Sequence, residues 1–71
     1  MKAYLEYHND AENSHKFWQI KLSCKDVEIR FGRVGINNPA TFVRSFKKPE
    51  EAKKFVNSKL REKINKGYLK H

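Results

Sequence analysis

"KFWQIKLSCKDVEIRFGRVG", residues 16–35, is the stretch whose reading decides the fold. In its first part Trp18, Ile20, Leu22 and Cys24 point one way, while Gln19, Lys21 and Ser23 point the other. "VEIRF", 27–31, alternates as well, with Val27, Ile29 and Phe31 against Glu28 and Arg30. Only Lys25 and Asp26 separate the two runs, which predicts a β-hairpin closed by a two-residue loop. In that register Cys24 faces Val27, Leu22 faces Ile29, Ile20 faces Phe31 and Trp18 faces Arg33. The apolar residues share one face, and Cys24 reads as a small buried hydrophobe.

Working outward, "AYLEYH" (3–8) reads as a first strand and "NDAENSH" (9–15) as a polar loop. "GINNPA" (35–40) is a loop by composition. "TFVRSFK" (41–47) is a further strand, with Phe42 and Phe46 on one face and Arg44 between them. A helix then opens at Pro49, where a missing N–H costs nothing, with Glu50 and Glu51 against the positive end of its dipole. Ala52, Phe55, Val56, Leu60 and Ile64 recur at helical spacing, and Gly67 is its natural stop. Strands followed by one long helix predict an α+β domain over residues 1–71. It is a small antiparallel sheet of about four strands with the C-terminal helix packed on one face. The other face, carrying Gln19, Lys21, Ser23, Glu28 and Arg30, is expected to stay in water.

The 71 residues allow one small domain. Cys24 is the single cysteine, so no internal disulfide forms, and a reducing, cytoplasmic setting is expected. No apolar run approaches the ~20 residues that cross a bilayer. The N-terminus lacks the apolar segment and small-residue cleavage site of a signal peptide. Charge is the strongest compositional signal. Sixteen Lys and Arg against eight Asp and Glu give +8 and a pI near 9.8. Residues 1–48 hold nine basic and five acidic side chains and residues 49–71 hold seven and three, so each part carries +4. A small domain this basic suits a polyanion.

Catalytic constellations are absent. No nucleophile elbow or phosphate-binding loop is present, and "GRVG" lacks the third glycine of a dinucleotide fingerprint. His8, His15 and His71 have no metal-like spacing with Cys24 or with one another. Neither an enzyme, a cofactor nor a metal is expected. The basic residues fit binding better. Arg33 follows a strand and precedes a loop, and Gly32 lets a phosphate or sugar approach the backbone. Lys16, Arg44 and Lys47 belong to the same rim, and Arg33 also faces Trp18, on which it would stack as a cation–π pair without giving up a phosphate contact. Lys59 and Lys63 flank the helix stripe and are expected to drape their stems over it.

These residues resemble the WGR domain family. The motifs that carry the likeness are "SHKFWQI" (14–20), "RFGRVG" (30–35), "SFKKPEEAKKF" (45–55) and "REKINKGY" (61–68), in order along nearly the whole chain. The likeness is strongest to short bacterial WGR proteins and to the WGR region of the molybdate-metabolism-regulator type. It implies an antiparallel sheet with one helix. In eukaryotic poly(ADP-ribose) polymerases the domain reads DNA breaks, its motif tryptophan packing on a sugar at the DNA end and its arginine helping to hold the interface. Gly32 and Arg33 match that motif, and Phe31 stands in the tryptophan's place, with less area and no N–H donor. The alternation turns Phe31 inward, and a bulge beside Gly32 would bring it to the surface. The expected function is a nucleic-acid-binding module, DNA first. It acts on phosphates through Arg33, Lys16, Lys21, Arg30, Arg44 and Lys47, with Gly32 and Phe31 at the contact. The alternative is a protein-interaction or regulatory module whose basic surface serves solubility or an acidic partner.

Overall fold

Apolar–polar alternation makes strands before it makes anything else in this chain, and a computed structural model describing residues 1–71 follows it closely. The strands are β1 (Lys2–Asn9), β2 (Ser14–Ser23), β3 (Asp26–Arg33), β4 (Ala40–Ser45) and the short β5 (Leu69–Lys70). They form one antiparallel sheet in the order β4-β3-β2-β1-β5. A single turn of 3-10 helix over Asp10–Glu12 joins β1 to β2, capped by the Asn9 side chain, which accepts from the Glu12 N–H. The helix α1 (Pro49–Asn65) lies across one sheet face. The fold class is as expected, with a fifth strand of two residues added.

The hairpin differs from its expected register in one instructive way. Ser23 pairs with Asp26, so the turn is Cys24-Lys25, one residue earlier. Each partner moves by two positions, which leaves every side chain on its own face. Trp18 now faces Phe31, Ile20 faces Ile29 and Leu22 faces Val27, so large apolar residues meet across the strands. Asp26, read as loop, is a strand residue that accepts a hydrogen bond from Ser45 Oγ at 2.7 Å. Cys24, read as buried, is exposed in the turn with φ of +57°.

Eight residues make the core: Ala3, Leu5, Trp18, Ile20, Val27 and Ile29 from the sheet, Ala52 and Val56 from the helix. Leu22, Phe46, Phe55, Leu60 and Tyr68 pack around them. Of the helical stripe, Ile64 is exposed. Ala40, Phe42 and Arg44 share the helix face through pairing with Phe31, Ile29 and Val27. Phe46 lies past the strand end and packs on Phe55 at 5.2 Å. Gly67 ends the helix with φ of +104°, and a Cβ there would sit 3.3 Å from the Tyr7 ring. The chain then turns back along β1 as β5, with the His71 N–H donating to the Tyr4 carbonyl.

Candidate nucleic-acid interface

The strand ends of β2 and β3 place Lys16 directly opposite Arg33. Both side chains are exposed, and neither has a carboxylate within ion-pair distance. Pairing continues through Gly32 opposite Phe17 and Phe31 opposite Trp18, so β3 has no bulge. Phe31 stays on the helix face, as its alternation requires, and is still 44 % exposed. Phe31 thus shares the core's face without a bulge, yet lies outside the core. Gly32 has extended backbone, and the space a side chain would fill is taken by Ile36, whose Cγ2 would sit 3.2 Å from an added Cβ. Its role is close packing of the following loop.

Arg33 does not stack on Trp18. That place belongs to Lys63, whose Nζ lies 5.8 Å from the Trp18 ring centroid and 5.4 Å from that of Tyr68. Lys59 likewise lies over Phe55 at 5.6 Å. Of the two, Lys59 sits over a ring of the stripe, whereas Lys63 reaches past it to Trp18 and Tyr68. Burial, and then the charge of nearby Lys66, holds the Lys63 ammonium below its ordinary pKa of 10.5.

Two open furrows flank Lys63. One, of about 640 Å³, is lined by Tyr7, Glu12, Ser14, Lys16, Lys63, Lys66 and Tyr68. It is polar and basic; Arg33 is not part of its lining but lies across the strand pair from Lys16. The other, of about 470 Å³, runs between α1 and the β3–β4 edge. Trp18, Phe31, Phe42 and Phe55 give it an apolar floor, and Arg44, Lys59 and Lys63 rim it. Glu62 sits between the furrows, its carboxyl held below the usual range by Lys59 and then by a hydrogen bond from Lys66. Lys16 and Lys63, with no carboxylate partner, and Lys66, shared with Glu62, are the cations of the first furrow.

The expected rim is thus divided. Arg33, Lys16 and Phe31 come together at one end of the helix face. Arg44 shares that face but stacks on Phe46 and Phe55 at 4.8 and 5.4 Å. Lys21 and Arg30 lie on the opposite face, where Arg30 pairs with Glu28 at 3.6 Å. Lys47 lies beyond β4 in the link to the helix. Lys63 and Lys66 were missing from the sequence-based set. The available signal was their i, i+3 spacing beside the apolar stripe, which reads equally as solvated surface.

With this geometry in place, comparison with known proteins decides the family. The sequence matches the WGR domain over residues 1–71. The chain belongs to the WGR domain family. It is similar to a crystallised protein of Bacteroides fragilis, with 31 % identity and a TM-score of 0.91. That alignment covers 100 % of this chain and 19 % of the other, so this WGR domain corresponds to about a fifth of the larger protein. No curated protein matches the sequence.

Proposed function

We propose that this WGR domain binds nucleic acid, DNA first, by seating phosphates in the basic furrow between α1 and the β2–β3 strand ends. The observation that carries this reading is the convergence of Lys16, Lys63 and Lys66 on one furrow, with Arg33 on the strand position opposite Lys16, three of the four without a carboxylate partner. Arg33 forks onto one phosphate, and the lysines act as point charges. Phe31, exposed beside Arg33, offers an apolar surface to a sugar or a terminal base. Binding of this kind carries little sequence preference, because phosphate contacts encode none.

Fluorescence anisotropy on a blunt duplex, a closed hairpin and a single strand, each at two salt concentrations, tests the reading. Arg33→Ala weakens binding by about 1–2 kcal/mol on every sequence, the worth of a charge-assisted contact. An unaffected mutant removes the mechanism.

A second reading, a protein-interaction module, draws on a separate observation. The apolar furrow leaves Phe42 46 % exposed, and β4 is an edge strand with all six residues exposed. An exposed edge accepts an extended peptide. Capture of one stoichiometric protein from nuclease-treated lysate favours that reading, and loss of all partners after nuclease favours nucleic acid.

A further inference from the structure

All three histidines of the chain, at positions 8, 15 and 71, gather on the sheet face that the helix leaves uncovered. Alternation puts Glu6 and His8 on that face of β1. Cross-strand pairing sets His15 opposite His8. The pairing of Leu69 with Glu6 brings His71 alongside through β5. Glu6 Oε1 lies 2.8 Å from His8 Nε2 and 3.5 Å from His71 Nε2, and one donor atom from each of the three falls within 4.8 Å of the others. Ligand atoms around a tetrahedral ion with bonds of 2.0–2.1 Å are separated by about 3.3 Å. Small rotations of the exposed His8 and His71 side chains about the partly buried Glu6 carboxylate reach that spacing.

We propose that Glu6, His8 and His71 form a binding site for one zinc-class divalent transition-metal ion. The surroundings prepare each donor. Tyr4 O–H donates to Glu6 Oε2 at 2.7 Å, fixing the carboxylate and leaving Oε1 turned to the imidazoles. Tyr4 is itself held by stacking on Phe17 at 5.8 Å and by the edge-on His71 ring at 6.2 Å. His8 Nδ1 lies 2.7 Å from His15 Nδ1, and His15 Nε2 lies 3.9 Å from Asp10 Oδ1. With His8 Nδ1–H donating to His15, the Nε2 lone pair of His8 points at Glu6, and a cation between them satisfies both. An imidazole ligand commonly carries such an outer partner, which sets its tautomer. Two nitrogens and one oxygen suit zinc and its neighbours rather than magnesium or calcium. Three protein ligands leave the remaining position to water. The ion pins β5 to β1, on the face opposite the basic furrow, so the site is independent of nucleic-acid binding.

Calorimetric titration of the full chain with zinc chloride tests this, with magnesium chloride as control. The expected result is one zinc per chain, no magnesium binding and a melting temperature raised by zinc. His71→Ala and His8→Ala each weaken zinc at least tenfold. His15→Ala, acting through His8, weakens it about tenfold. Lys21→Ala, on the same face, leaves it unchanged. Far-UV circular dichroism in EDTA checks that each variant folds; if His8→Ala does not, His71→Ala decides, since His71 lies exposed beyond β5. No zinc binding at 1 mM, or equal affinity in parent and His71→Ala, overturns the assignment.

Discussion

At Cys24 the backbone takes φ of +57°, a left-handed conformation that disfavours any side chain with a Cβ. Cys24→Gly relieves that strain, and the expected gain is about 0.5–1 kcal/mol in urea unfolding; a loss of stability contradicts the turn geometry. The sequence did not show this position because Cys24 continues a perfect alternation, and alternation carries no information about where a turn cuts in. The place of Arg33 was legible for the opposite reason: Gly32 and Gly35 mark a strand end, and β3 ends at Arg33. Lys63 was not, since one lysine on a helix looks like another until tertiary packing buries it. Its titration gives a residue-scale prediction. Burial and Lys66 lower its pKa from 10.5, whereas a bound phosphate favours the ammonium. Binding takes up a proton only around that lowered pKa, and affinity falls as pH rises through it. Lys63→Gln removes that fall. Affinity that increases over the same range contradicts the placement of phosphate beside Lys63.

Among the elements, the helix and the central hairpin were the easiest to read. Proline at the first helical position, two glutamates, an apolar stripe and a terminal glycine give α1 its bounds almost residue for residue. The hairpin's faces were legible and its register was off by one pair, because only the turn distinguishes the two alignments. β5 could not be seen: two residues have no period, and Leu69 and Lys70 form a strand only because Gly67 directs the chain back to β1. The histidine site shared that fate, being assembled by β5. The helix also has a weakness open to test. Its N-cap residue is Lys48, which has the extended backbone of a cap but no side-chain hydrogen bond, and whose charge opposes the dipole. Lys48→Asp supplies both, with an expected gain of about 1 kcal/mol and a melting temperature higher by about 4–8 °C. An unchanged melting temperature means the end of α1 does not limit stability.

For the whole molecule, eight buried residues hold a 71-residue chain together. A chain of this length carries about 4–10 kcal/mol of stability. Leu5 on β1 is fully buried in the core, and Leu5→Ala removes about 2–5 kcal/mol of that. The expected result in urea unfolding is a midpoint lowered by at least about a fifth; a loss under 1 kcal/mol contradicts the core assignment. So small a core leaves most of the surface free for charge, and the net +8 is divided between two faces. Alternation already puts Lys21 and Arg30 on the face away from Trp18; charge alone groups them with Arg33, and the structure keeps the two sets on opposite faces. The salt dependence of DNA affinity reads that sorting directly. With Lys16, Arg33, Lys63 and Lys66 on phosphates, log K falls against log salt with a slope of about −3 to −4, shallower by about 1 in Arg33→Ala and unchanged in Lys21→Ala. A slope near zero, or one that responds to Lys21 and not to Arg33, contradicts the account.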